Sequence, residues 1–371
     1  MSDAAGMGRT GLTIRSVRTR GVKVPLTFPL GTSAATVREA PLLLVDLAIE
    51  EGVVGRSYLF GYTPGGARAM AVLLEEVVAL VAGQDAAPRT IALVLGRRLA
   101  LLGVAGPVRM ALAALDVALW DALAIARGVP LATLLGARPG PVRAYNSSGL
   151  GLMPAEAAAE EAVKLLARGF GAVKLRLGHP TLQQDLRVAR AVRRRLPDDV
   201  AMMVDYNQAL SVAEAIRRGR ALEQEGAYWL EEPVRHGDLR GQAAIARALA
   251  LPLQAGENFD GPAALQAALA AEACDYVMPD LARIGGVTGW IEAAGIAAAQ
   301  GVEMSSHLFP EVSAHLLAAT PTAHWLEYVD WADAILEQPL EIRDGQAIIP
   351  DRPGHGMSWD EGRLARLPGI G

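Results

Sequence analysis

Cysteine occurs once in the 371 residues, at Cys274, so an internal disulfide is excluded. The residue lies in the apolar run CDYVM, the setting of a buried thiol. Positive charge is also short: 35 Lys and Arg stand against 40 Asp and Glu, a formal net charge of −5. That balance excludes the broad cationic face a nucleic-acid partner requires. The one basic triplet, Arg193-Arg194-Arg195, ends an amphipathic stretch before Pro197 and reads as a solvated helix end, where cations suit the helix dipole. Long uninterrupted apolar runs are missing as well, broken by Arg109, Asp116 and similar charges. The N-terminal MSDAAGMGRTG has no signal-peptide core. The expectation is a cytoplasmic protein with no membrane partner.

What is present is the composition of an ordered globular chain, 51% hydrophobic and 20% charged, long enough for one large α/β barrel and an additional domain. Residues 12–24 and 41–49 read as strands, with the Pro- and Gly-containing segment 25–38 between them. Helical patterns follow at 64–82, 88–101 and 106–127, giving an α+β domain over 1–135.

From residue 136 to 335 a unit of strand, loop and helix recurs. The strands are VRAYN, AVKLR, AMMVD, YWLEE, LQAGE, YVMPD, VEMSS and HWLEY. Helical stretches lie between them at 155–167, 181–195, 211–225, 239–249, 262–271, 286–300 and 311–319, the third opened by a Ser211–Glu214 capping box. Eight such strands predict a closed barrel. Residues 336–371 read as strands and turns that return to the first domain.

In a parallel barrel all C-terminal strand ends open on one face, so residues far apart in sequence converge there. Lys174, Asp205, Glu231, Glu257, Asp280, His307 and Glu327 occupy those positions on successive strands. Asp205, Glu231 and Glu257 bring three hard oxygen donors around one point, a magnesium site by ligand type. Any one of them alone would read as a capping or surface carboxylate. Glu232 follows directly and should point to the other side of its strand.

The period of two puts Lys174 and Arg176 on one face, either confronting a metal-held anion or pairing with the carboxylates as structural salt bridges. Asp280 beside His307 would fix the imidazole's tautomer and raise its basicity, making a general base. His307, Glu311 and His315 share helical spacing, but Pro310 argues against a continuous helix and hence against a zinc site.

The motifs KLRLG, MVDYNQ, WLEEP, AGEN, MPD with RIGGVTGW, and MSSHLFPEVSAHLLAATPTAHWLE, in this order, resemble the mandelate racemase subgroup of the enolase superfamily. The likeness begins at RTRGVKVPLTFPL, passes through GVVGRSYLFGYTP and RMALAALDVALWDAL, and runs to IIPDRPGHGMSW. It implies an α/β fold, a (β/α)7β modified TIM barrel with an N-terminal α+β capping domain. It also implies Mg2+ on Asp205, Glu231 and Glu257, a small-molecule carboxylate as substrate, and a homo-oligomer.

Within the site the resemblance gives Lys174 the substrate carboxylate, the Asp280 and His307 dyad the α-proton on one face, and Glu327, protonated, a hydrogen bond to donate. Ser147 would help to bind the carboxylate, with Asn207 as a further substrate contact. Leu30, Val37, Phe60, Tyr62, Leu308 and Val329 would line the pocket for the group on Cα, unless they are packing residues of the cap. The family's second base, opposite the histidine, is a lysine at the position of Arg176. An arginine is neutral at pH 7 in only about one molecule in ten million. Three outcomes stay open, and the apolar pocket residues rank them: racemisation of a mandelate-like 2-hydroxy acid first, dehydration of an acid sugar or other 2,3-dihydroxy acid by His307 alone second, and a carboxylate-binding homologue without turnover third.

Overall fold

The computed structural model describes residues 9–32 and 36–370. Three antiparallel strands, β1 (Ile14–Gly31), β2 (Thr36–Ile49) and β3 (Val54–Phe60), form the cap sheet. Helices α1 (Pro64–Val81), α2 (Pro88–Arg98) and α3 (Pro107–Ala126) accompany it, with α1 and α3 against the sheet. A short α4 (Leu131–Leu134) leads to the barrel.

Two expectations for the cap need correction. In the segment 25–38, residues 25–31 and 36–38 are not a connector but belong to β1 and β2, which make a long two-stranded arm; residues 33–35 lie outside the described residues. Pairing slips between Pro25↔Glu39 and Leu30↔Val37, where Pro25 and Pro29 cannot donate to the ladder and the strand bulges. The third strand, β3, was not anticipated because Gly52 and Gly55 interrupt its pattern. Gly55 is needed where α3 crosses the sheet, since any Cβ there would overlap the Ala118 carbonyl.

The barrel strands are β4 (Pro141–Asn146), β5 (Ala172–Arg176), β6 (Ala201–Asp205), β7 (Ala227–Glu231), β8 (Leu253–Ala255), β9 (Tyr276–Val277) and β10 (Leu326–Tyr328). They pair in parallel from β4 to β9, and β10 pairs with β4. The seventh strand, expected at VEMSS, is reduced to single bridges, Val277↔Met304 and Met304↔Ala323. Serine hydroxyls replace part of its ladder, Ser305 Oγ accepting from Trp325 N at 3.4 Å and Ser306 Oγ from Glu327 N at 3.0 Å.

Around this ring lie α5 (Ala155–Leu165), α6 (Leu182–Arg193), α7 (Val212–Glu223), α8 (Leu239–Ala248), α9 (Pro262–Ala270), the one-turn α10 (Leu281–Ile284), α11 (Gly286–Ala299) and α12 (Pro310–Ala318). The complete capping box opens α6, at Thr181 and Gln184. At α7 Ser211 caps Glu214 N, but the Glu214 carboxylate bonds Arg217 and Arg218 instead of closing the box.

Tyr145, Ala172, Met203, Trp229 and Trp325 fill the barrel interior as a dry plug, which leaves the polar residues to the strand ends beyond it. After β10, a hairpin of β11 (Glu341–Arg343) and β12 (Gln346–Ile348) adds antiparallel to β4, and the chain then reaches the cap, where Lys23 N donates to Pro368 O at 2.8 Å. No helix of the described residues is long and apolar enough to cross a membrane.

His315, fully buried on α12, joins barrel to cap as a neutral ring: Nδ1 accepts from Ala132 N at 3.1 Å and Nε2 faces the His355 carbonyl at 3.3 Å. Burial, with the His355 ring nearby, lowers its pKa to about 3. An unfolded histidine titrates near 6.5, so between about pH 6.5 and 3 the unfolded chain binds a proton that the folded chain refuses. Stability from this group falls as pH falls, by up to about 1.4 kcal/mol per pH unit. Glu311, pushed up to about 7 by burial, acts in the opposite sense. The contribution is therefore read as a difference: urea unfolding at pH 7.5 and 5 is expected to show a smaller acid loss in His315→Gln than in the wild type. Equal losses would contradict it.

Candidate active site

The last residue of β6, the last of β7 and the second residue beyond β8 are Asp205, Glu231 and Glu257. Each offers one oxygen within 4.8 Å of the others, and among the described residues they form the only such group of three or more. Asp205 and Glu231 are buried and Glu257 is half-buried. The donor set, three carboxylates with no imidazole or thiolate, fits a hard divalent cation. His307, Glu311 and His315 form no such group: His307 lies before α12 and His315 is turned to α4.

Lys174, 1% exposed, is a cation at the centre of these acids. Its Nζ lies 2.6 Å from Glu231 Oε1, 2.7 Å from Glu327 Oε1 and 3.7 Å from Asp205 Oδ2. Burial alone would favour the neutral amine, but Glu231 and Glu327 hold its pKa well above the usual lysine value. Lys174 is therefore a fixed charge and not a proton acceptor. Burial and the neighbouring Asp205, Glu257 and Glu327 push Glu231 up to about 8 despite Lys174. Negative charge is in excess here, the condition a bound cation relieves.

His307 Nδ1 lies 2.8 Å from Asp280 Oδ2, and its Nε2 lies 3.5 Å from Glu257 Oε2 and 3.9 Å from Glu327 Oε2. Asp280 is held in turn, its Oδ1 accepting from the backbone of Ala282 at 2.8 Å and Arg283 at 2.9 Å in the first turn of α10. Burial works against the imidazolium. Glu327, the Asp280 bond and Glu257 outweigh it and raise the His307 pKa to about 9.

Glu327 stands between Lys174 and His307. Burial would raise its pKa, but Lys174 and His307 on either side hold the carboxyl well below the usual range. It accepts from Lys174 and, at 2.8 Å, from Leu308 N.

Arg176, 5% exposed, is bound into the first βα loop. Nη1 donates to Gly149 O at 2.6 Å and Ser147 O at 3.2 Å, and Nη2 donates to Ser147 Oγ at 2.8 Å. Ser147 is thus placed against the guanidinium. Asn207 donates twice to Asp205, from N at 2.7 Å and Nδ2 at 2.9 Å. Leu30, Phe60, Leu308 and Val329 are buried in one apolar cluster with Val37 packed on it, while Tyr62 is 43% exposed and stacks 4.5 Å from the Phe60 ring.

Four participants were not anticipated. Trp229 Nε1 donates to Glu231 Oε2 at 3.1 Å. Glu232, set aside by strand alternation, has a left-handed backbone (φ 33°), is buried, and shares an amide donor with Glu257. That donor is Asn258, the last residue of AGEN. Its partner Arg283 stands in RIGGVTGW, so the signal for both was their place within the motifs.

A capped (β/α)7β barrel with acidic residues on successive strand ends defines the class, that of the enolase superfamily. The chain belongs to its mandelate racemase and muconate lactonizing enzyme family: residues 14–136 match the model of that family's N-terminal domain and residues 157–363 the enolase C-terminal domain-like model. It is 45% identical to an enolase from alpha proteobacterium bal199 crystallised with magnesium, at a TM-score of 0.94 over 96% of this chain and 99% of that one. It is 39% identical to a Bradyrhizobium enolase complexed with magnesium and mandelic acid, at a TM-score of 0.92 over 97% and 99%. With the L-talarate/galactarate dehydratase of Salmonella typhimurium it shares 34% identity over 95% of this chain and 90% of the relative.

Proposed function

We propose that Asp205, Glu231 and Glu257 hold Mg2+ and that the protein removes the α-proton of a small 2-hydroxycarboxylate with His307 as its only base. The observation that carries this reading is the convergence of three carboxylates with an imidazole whose second nitrogen is bonded to a buried aspartate. The magnesium in two of the related structures supports it.

An α-proton beside a carboxylate is very weakly acidic, because its loss gives a dianionic enediolate. When bound, the metal supplies positive charge to that carboxylate and to the charge that develops as the C–H bond breaks. Lys174 holds the second source of positive charge at a fixed place. His307, with Nδ1–H donating to Asp280, presents Nε2 as the basic atom. Neutralising Glu257 removes part of the pull that keeps this ring protonated. A substrate carboxylate beside Lys174 would share its positive charge, which weakens the pull that holds Glu327 ionised and lets it donate.

The position that the family likeness assigns to a second base carries Arg176, whose guanidinium is engaged by Ser147 and Gly149 and has donors but no acceptor to take a proton. The proton is therefore taken and returned on the His307 face. We read the outcome as dehydration: His307 takes the Cα proton of a 2,3-dihydroxy acid, passes it to the departing C3 hydroxyl, and the resulting enol becomes a 2-keto acid. By the family likeness the buried, apolar Leu30, Phe60, Leu308 and Val329 would form the wall around the group on Cα, which suits a substrate whose far end is apolar. That wall, with the mandelic acid in the Bradyrhizobium relative, favours a second reading, racemisation of a mandelate-like acid.

The test is product analysis with purified protein and Mg2+. On 2,3-dihydroxy-3-phenylpropanoate, the expected result is loss of one water to 3-phenylpyruvate. Interconversion of the mandelate enantiomers without keto-acid formation would replace dehydration by the second reading. Saturable binding of both acids without proton exchange would overturn enolisation itself.

A further inference from the structure

Asn258 follows the third carboxylate and sits between two acids, its Nδ2 donating to Glu232 Oε2 at 2.7 Å and to Glu257 Oε1 at 3.1 Å. Its Oδ1 accepts from Arg283 Nη1 at 2.8 Å. An arginine only donates, so this contact permits one orientation of the amide, the one that turns NH2 toward both carboxylates. Arg283 reaches the cap as well: its guanidinium lies 5.1 Å over the Tyr62 ring. Its backbone N, at the same time, bonds Asp280. One residue of α10 therefore touches the cap, the dyad and, through one amide, the third carboxylate.

The far end of this chain of contacts is held under strain. Tyr62 has φ 58°, a left-handed conformation that a tyrosine adopts only when its surroundings impose it. The ring is placed between Phe60 at 4.5 Å and the Arg283 guanidinium, while Phe60 packs on Trp331 at 5.0 Å beyond β10. The Tyr62 side of the contact belongs to the cap and the Asn258 side to the barrel, so the two domains meet through Arg283 beside the candidate metal site.

We infer that Arg283 is a positioning residue through which Tyr62 of the cap sets the orientation of Glu257, so that affinity for Mg2+ depends on a contact made by the cap. The inference rests on the metal assignment made above for Asp205, Glu231 and Glu257. Free to rotate, Asn258 would no longer direct its amide at Glu257, and the third ligand would have to be ordered on binding. Partners that orient metal ligands are typically worth roughly 10–100-fold in metal affinity.

The experiment titrates Mg2+ into the full chain by calorimetry without substrate, beside thermal unfolding of each variant in EDTA. Arg283→Gln is expected to weaken Mg2+ at least tenfold with little change in the EDTA unfolding temperature. Arg283→Lys restores charge without the planar two-sided contact and should recover only part of the loss. Tyr62→Ala, a change at a half-exposed side chain, is expected to weaken Mg2+ severalfold, whereas Tyr62→Phe, which keeps the ring on the guanidinium, should lie near wild type. Wild-type affinity in folded Arg283→Gln, or in Tyr62→Ala should Arg283→Gln not fold, would overturn the inference. Absence of Mg2+ binding by the wild type would instead remove the metal assignment beneath it.

Discussion

Replacing His307 by asparagine is expected to lower deuterium exchange at Cα by roughly 10²–10⁴-fold, the range that general-base catalysis contributes. Asparagine keeps much of the side chain's size but offers no basic nitrogen. The loss should appear in turnover while Mg2+ still binds, because the ring is outside the three-carboxylate group. The other five imidazoles are engaged elsewhere: His179 faces Asp185, His236 faces Gln208, His315 and His355 are tied to backbone groups, and His324 sits among Tyr228, Trp229, Tyr276 and Trp325. Exchange persisting in His307→Asn, measured by proton NMR in D2O, would remove His307 as the base.

The second large effect is on stability. Lys174→Met leaves Glu231 and Glu327 buried without the cation now within 2.6 and 2.7 Å of them. Breaking a buried pair by removing one partner costs about 3–5 kcal/mol. Urea unfolding in EDTA should show a loss of that order. Mg2+ should recover more stability in the variant than in the wild type, since a metal held by Asp205, Glu231 and Glu257 neutralises Glu231. Recovery stays incomplete, because Glu327 lies outside that group. Catalysis should also be lost, as the fixed positive charge beside the substrate carboxylate is gone. A variant as stable in EDTA as the wild type would show that these ion pairs contribute nothing net to folding.

The strand ends were legible because a parallel barrel maps sequence onto space with a simple rule: one strand end per βα unit, all on one face. That rule brought Asp205, Glu231 and Glu257 together and set Asp280 against His307. The period of two likewise put Lys174 and Arg176 on one face, and Lys174 pairs with the carboxylates of Glu231 and Glu327.

What escaped depends on polar partners chosen by tertiary placement. Ser305 and Ser306 accept backbone donors through their hydroxyls, so a well-formed strand pattern became a pair of bridges. A left-handed backbone at Glu232 defeats alternation, and no propensity announces it. The charge on Glu327 follows from Lys174 and His307, which are 153 and 20 residues away in sequence (327 − 174 and 327 − 307). Arg176 was visible as a departure from the family, but its bonds to Ser147 and Gly149, which make it part of the loop, were not.

The central claim is proton abstraction on one face by His307, assisted by a metal on three carboxylates. It is tested most directly by incubating each enantiomer of mandelate with the wild-type protein and Mg2+ in D2O and following the Cα proton by NMR. The account predicts that deuterium enters one enantiomer only, with configuration retained, and that EDTA stops it. Exchange or inversion of both enantiomers, or exchange that survives EDTA, would contradict it.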